Sequence, residues 1–414
     1  MRLPQAALAW SPALATMSLG LPAIIARLSG ADLSPEASVA IFGLGILSAA
    51  FLLGAASEAS QHDIPASLSL AVLAFVAVLP EYAVDLLFAW RAGDDPEQAQ
   101  FAVANMTGAN RLLLGIGWSF VLFTFVARNR WIVRSPQRVL TLPRSISLEL
   151  VAMGVATLVV FTIPVVGNIN LIMSVVLLTI FVFYLYRLAK QPVVEPEVGG
   201  PAAVVQRLPT KQRRAVVIGL FAYAGMAIVL SAEPFADGLI ELGEELGLDP
   251  FLLVQWLAPI ASESPEFLAA LYLVWRGLAQ HGMIVLISSK VNQFTLLIAS
   301  LPVAYAISAG TLEGLPLEVR QEEEVLLTAA QSIFGVILIL DRKITLREAG
   351  LLVTLFLGQF LFTDGDVRLG FSVTYLVLAV LFLARRYAEV PRVLRYALRG
   401  EWDEPDEVTE PADS

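Results

Sequence analysis

The chain has 414 residues, 57% of them hydrophobic and only 15% charged, with a mean hydropathy of +0.73. That composition lies outside the range of soluble globular domains and makes lipid the main solvent. With no cysteine there is no disulfide, thiolate metal centre or thiol catalysis, and a formal charge of −10 does not suit nucleic-acid binding.

Apolar stretches long enough to cross a hydrocarbon layer of ~30 Å recur between charged or Pro/Gly-rich breaks. Residues 1–37 carry an extra N-terminal span, predicted at 6–29. A signal peptide is the alternative there, but Trp10, Pro12 and Pro22 interrupt the run and no small-x-small cleavage site follows. Spans at 38–58, 66–91, 99–127, 146–164 and 168–188 form a first five-helix unit over 38–190. Residues 191–213, with Pro192, Pro196, Gly199, Gly200, Pro201 and Pro209, read as a polar cytoplasmic linker. Spans at 214–240, 250–275, 281–308, 323–341 and 345–363 form a second unit over 214–363. A further span at 367–386 lies within 364–390, and 391–414 is a charged cytoplasmic tail. The expected fold is an all-α polytopic membrane protein of about 12 transmembrane helices, two five-helix units plus one extra helix at each end.

Basic residues mark the cytoplasmic side. With the N-terminus inside, 21 of the 27 Lys and Arg fall there, in Arg128 to Arg144, Arg187 to Arg214, Arg342 to Arg347, the tail from Arg385, and singly at Arg2 and Arg276. Arg27, Arg91, Arg320 and Arg368 fall outside, and Arg111 and Lys290 fall within spans. Both termini are therefore expected in the cytoplasm, in a cell (inner or plasma) membrane. The acidic balance is assigned to loops such as Asp94-Asp95 and Glu322-Glu323-Glu324 and to the tail.

The segment LPEYAVDLLFAWR (79–91) is repeated as SPEFLAALYLVWR (264–276), with one constant offset from end to end. Each copy lies in the second span of its unit, once the extra N-terminal span is set aside, and the charge count runs the two in opposite directions. Inverted repeats of this kind typify secondary transporters, whose site lies near the midplane where the halves meet.

An intramembrane carboxylate is costly unless paired or coordinating, so it marks function. Glu81 and Asp85 are four positions apart, and Glu263 and Glu266 three, so each pair projects from one helical face. Pro80 and Pro265 free carbonyls one turn earlier, and carboxylate plus carbonyl oxygen suits a hard cation. The next span of each half, VANMTGANRLLLG (103–115) and ISSKVNQFTLL (287–297), adds Asn105, Thr107 and Asn110, and Ser288, Ser289, Asn292 and Gln293. Each also brings one base, Arg111 or Lys290, as a coupling group or counter-charge. Trp90-Arg91 and Trp275-Arg276 read as interfacial anchors, His62 and His281 as loop residues, and Glu233 and Asp237 as candidates to line a vestibule.

These motifs resemble the calcium/cation antiporter superfamily of sodium/calcium exchanger type, whose two inverted alpha-repeats each read approximately G-T-S-L-P-E followed by G-S-N. LPE at 79–81 and SPE at 264–266 match the acidic half, within alpha-motifs at 76–117 and 258–300, and TGAN at 107–110 matches the second half more closely than ISSK at 287–290. The likeness extends over LSAAFLLGAASEAS (47–60) and DRKITLREAGLL (341–352), and so covers about 38 to 363. The resemblance implies central acids at Glu81 and Glu266. The family's hydroxyl positions beside them become Ala77 and Val78 in one repeat and Ser262 and Glu263 in the other. Its later serine becomes Ala109 and Ser289, and the amide or acid beyond becomes Leu113 and Gln293. Glu263, Arg111 and Lys290 are additions to the common motif.

The expected function is a secondary active cation antiporter working by alternating access, exchanging Ca²⁺ or another metal cation for Na⁺ or H⁺. The cation-binding set is Glu81, Glu266, Glu263, Asp85, Ser262, Ser289, Asn110, Asn292 and Gln293, with Glu81, Glu266 and Glu263 as direct metal ligands. The partners are inorganic cations and the bilayer, and no cofactor is implied beyond the ion in transit. An ion channel, or a static buried charge network, is the alternative. No HExxH, G-x-S-x-G or cysteine nucleophile supports an enzyme.

Overall fold

The computed structural model describes residues 3–60, 79–190, 204–361 and 364–399. The expectations placed on His62, on 66–78, including Ala77 and Val78, on most of the linker and on the tail from 400 lie outside the described residues.

Helices dominate because lipid offers no partner for the backbone, and a helix satisfies its amides and carbonyls internally. The described elements are α1 (Leu3–Ser29), α2 (Pro35–Ser60), α3 (Leu79–Arg91), α4 (Ala99–Leu112), α5 (Trp118–Arg128), β1 (Val139–Thr141), α6 (Ser147–Val160), α7 (Ile163–Val166), β2 (Asn168–Ile169) and α8 (Leu171–Leu188). After the linker come α9 (Thr210–Leu246), α10 (Pro250–Arg276), α11 (Ala279–Asn292), α12 (Ile298–Ala309), β3 (Leu315–Pro316), α13 (Val319–Leu338), β4 (Lys343–Thr345), α14 (Leu346–Leu361), α15 (Gly365–Arg386) and α16 (Val390–Arg399). A π-helical turn joins α4 to α5 at Leu113–Gly117 and α11 to α12 at Gln293–Leu297. Each makes one continuous span, of 38 and 31 residues.

Among the described residues seven helical segments are long and apolar enough to cross a membrane by length and composition. Of the remaining predicted spans, α10 is 27 residues long but is diluted by acids and two internal prolines. Helix α13 opens on a charge run, α14 has 16 residues, and α3 is described for only 13.

Local signals explain the ends. Asp249 caps α10 by accepting the Phe251 N–H at 3.0 Å, Pro250 stands in the first turn where no donor is needed, and Gly277 closes the helix at φ +96°. Asn170 caps α8, and Glu318 with Gln321 forms a capping box on α13.

The second half repeats the element order of the first. Leu79 of α3 corresponds to Ser264 within α10, Ala99 at the start of α4 to Ala279 at the start of α11, and Leu171 at the start of α8 to Leu346 at the start of α14. The spacing between the halves shortens in two steps along the chain, because two connections are longer in the first half. One precedes α4, and the other lies between α5 and β1, where a further π-turn occupies Asn129–Val133. Two short antiparallel ribbons join the halves, β1 to β4 and β2 to β3. Gly167 and Arg342 stand at corresponding positions, and both have positive φ (75° and 58°). The Gly167 carbonyl accepts the N–H of Leu317 and that of Arg342 accepts the N–H of Leu142, a second corresponding pair. The core is continuous across α3, α4, α10 and α12 and continues between α5, α6, α11 and α13.

Candidate functional site

Four helices, α3 and α4 from the first half and α10 and α11 from the second, bring the intramembrane polar residues together. Helices α4 and α10 touch at backbone distance. Pro259 has no N–H for the Gln255 carbonyl, and Gly108 of α4 lies directly over that oxygen, with which any Cβ would overlap. Gln255 also donates from Nε2 to Thr107 Oγ1 at 3.3 Å.

Around this contact the acids are enclosed. Glu81 is 2% exposed, Asp85 0% and Glu263 3%, while Glu266 is half-buried with Oε2 enclosed. The Glu81 carboxyl meets that of Glu263, and Glu266 acts on it electrostatically. Asn105 donates to Asp85 Oδ1 at 2.7 Å, and Gln293 donates to Glu263 Oε1 at 2.6 Å. Both oxygens of Glu81, together with Asp85 Oδ2, Glu263 Oε2, Glu266 Oε2, Asn105 Oδ1 and Gln293 Oε1, are buried with no hydrogen-bond donor. Acceptor oxygens without donors, most of them on carboxyl groups, are stable together only with shared protons or a bound cation.

Lys290 is 0% exposed. Its Nζ donates to the Asn110 carbonyl at 3.0 Å and Asn110 Oδ1 at 3.3 Å, lies 4.5 Å from the centre of the Phe294 ring, and is attracted by Glu263 and Glu81. Asn110 and Lys290 occupy equivalent places in the two halves and meet between them. Both Asn110 oxygens, expected from the sequence as cation ligands, thereby accept from the ammonium. The Ser262 hydroxyl donates to the Ala258 carbonyl at 3.2 Å and keeps lone pairs, and Ser289 and Asn292 are buried on α11.

Arg111 differs from expectation. It forms an ion pair with Glu324 of α13 at 2.6 Å, lies over the Trp256 ring at 5.1 Å, and is no counter-charge to Glu81 or Glu266. Glu324, read from its charge run as a loop residue, is 2% exposed, because capped α13 carries it one turn inward. Arg91 likewise does more than anchor: it pairs with Asp237 at 2.5 Å and Glu233 at 3.2 Å, and Arg27 also pairs with Glu233. His281 is exposed. Among the described residues no three acidic or histidine side chains close on one point as a resident metal centre would. Of the acids expected as metal ligands, Glu81 faces Glu263, and Glu266 stands almost a turn further along α10.

The sequence matches the sodium/calcium exchanger protein family over residues 37–190 and 216–384. Comparison with curated proteins returned no match. Among solved structures, an H⁺/Ca²⁺ exchanger CAX is 43% identical with a TM-score of 0.91, over 95% of this chain and 98% of that one. Native YfkE is 13% identical with a TM-score of 0.63, over 87% and 99% of the two chains. The sodium-calcium exchanger NCX_Mj is 16% identical with a TM-score of 0.51, over 80% and 98%. The last two show the fold alone. The chain belongs to the sodium/calcium exchanger family and is a membrane cation antiporter, not an enzyme.

Proposed function

We propose that this antiporter exchanges calcium for protons at the carboxyl cluster of Glu81, Asp85, Glu263 and Glu266. The observation that carries the reading is the set of buried acceptor oxygens without donors, contributed by both halves. Such a set is neutral when protons occupy it and attractive to a hard divalent ion when they leave, so one site serves both ions in turn. Gln293 and Asn105 hold two of the acids from the side and leave their other oxygens without a donor. Lys290 contributes a fixed positive charge where a second cation would otherwise sit, which favours one divalent ion over several monovalent ones. The 43% identity to the H⁺/Ca²⁺ exchanger CAX supports the same ion pair.

The proposed layout has twelve spans, two inverted five-helix repeats and both termini cytoplasmic, in a cell (inner or plasma) membrane. It is supported by the recurring element order and by the paired positive-φ residues Gly167 and Arg342. The test is flux in proteoliposomes. An acid lumen should drive calcium uptake with no other ion gradient, and an imposed sodium gradient at constant pH should not. Uptake needing only sodium would replace the proton by sodium, and uptake with no trans ion would make the protein a channel.

A further inference from the structure

Glu149, in the first turn of α6, is 3% exposed and takes no part in the ion site described above. Its counterpart in the second half is Glu324, in the first turns of α13. The correspondence is fixed by Gly167 with Arg342, by the caps Asn170 and Thr345, and by Thr157 and Ser332, which each donate to the carbonyl one turn earlier. Glu324 is neutralised by Arg111 of α4. The α11 residue equivalent to Arg111, next after Lys290 as Arg111 is next after Asn110, is Val291.

Glu149 thus occupies the place of an ion-paired acid from which the base is missing. The titratable group in contact with it is the Tyr184 hydroxyl of α8. Besides burial, what acts on it is its own backbone N–H and that hydroxyl. Its Oε2 is buried without a partner. The Tyr184 hydroxyl, on a side chain 1% exposed, lies between Glu149 and Ser288 of α11, next to Ser289 and two positions before Lys290.

We infer that Glu149 is a proton-binding site separate from the ion site, and that Tyr184 transmits its protonation to α11. The inference rests on the calcium/proton reading for its part in transport. A phenol has one proton to donate and two neighbours here. When Glu149 is ionised, the Tyr184 O–H donates to the carboxylate and Ser288 loses that donor. When Glu149 takes up a proton, its own O–H donates to the phenol oxygen, and the Tyr184 O–H turns to Ser288. One proton bound at Glu149 therefore reverses the direction of the chain and changes how α11 is held beside Ser289 and Lys290. Glu149 follows the segment Arg128 to Arg144, at the end of the bundle assigned to the cytoplasm, so it would sense inner pH.

Two measurements test this. In a pH titration of the purified wild type by infrared difference spectroscopy, Glu149→Gln should remove one protonated-carboxyl band and Tyr184→Phe should retain it. An unchanged difference spectrum in Glu149→Gln overturns the inference whatever the protein transports. In proteoliposomes the slope of log calcium uptake against inner pH should fall by about one in both Glu149→Gln and Tyr184→Phe, and Glu149→Asp should keep it. Wild-type slope in a folded Tyr184→Phe protein would remove the coupling to α11, and should Glu149→Gln fail to fold, that variant with Glu149→Asp carries the test. Calcium uptake by the wild type that ignores a pH gradient would instead remove the calcium/proton reading, leaving the infrared result to decide on Glu149.

Discussion

Arg111 and Lys290 stand on corresponding helices of the two halves, α4 and α11, and both are buried, yet their surroundings differ in kind. Arg111 is closed in: Glu324 lies at 2.6 Å, Arg368 reaches the same acid at 3.8 Å, and Trp256 covers the guanidinium. Lys290 is held by two oxygens of one residue and faces carboxyl groups whose remaining oxygens have no donor. A matched buried pair is a structural device, because breaking it strands a charge in a low-dielectric interior. An excess of acceptors with one tethered ammonium is a site able to take up a further positive charge. Burial and charge alone therefore do not mark a transport site; unequal numbers of donors and acceptors do.

Four sets of substitutions test this contrast. The largest effect is expected at the acids: Glu81→Gln or Glu263→Gln should weaken calcium binding on the order of 100-fold, read by calorimetry on folded protein. Unchanged affinity would move the ion site elsewhere. Arg111→Met or Glu324→Gln should destabilise the protein by about 3–5 kcal/mol, read as thermal unfolding in detergent. The double variant Arg111→Met/Glu324→Leu should recover most of that loss and still transport. A double variant that folds but carries no calcium would place Arg111 in the transport machinery and end the contrast.

Lys290→Gln should have the opposite sign to the acid variants. It removes a positive charge beside Glu263 and should tighten calcium binding about tenfold, with weaker binding showing that Lys290 organises the site rather than competing for it. The smallest effect belongs to the half-exposed cluster of Arg27, Arg91, Glu233 and Asp237. There Arg91→Gln should shift stability by no more than about 1 kcal/mol, and less in high salt, because water and ions screen charges whose side chains are 23% to 44% exposed. A larger, salt-independent loss would mean that this cluster is enclosed in the bilayer.

The membrane class, the repetition of Pro-Glu in two halves and the polar content of α4 and α11 are legible along the chain. Those follow from composition and from short contiguous motifs, which lipid selects residue by residue. Which polar groups meet was decided by the tertiary structure alone. Glu324 sits in a run of three acids that reads as solvated, and only the inward turn of α13 brings it to Arg111. Asn110 and Lys290 lie far apart in the chain, and only the crossing of α11 delivers the ammonium to both Asn110 oxygens. Glu149 carries no signal in its own span. The match of Gly167 with Arg342, at a shorter spacing than that of the Pro-Glu motifs, sets it against Glu324, with Val291 where a base would stand. Charges inside a bilayer interact over a few ångströms between segments far apart in the chain, so their partners depend on helix crossing and rotation, which no local pattern encodes.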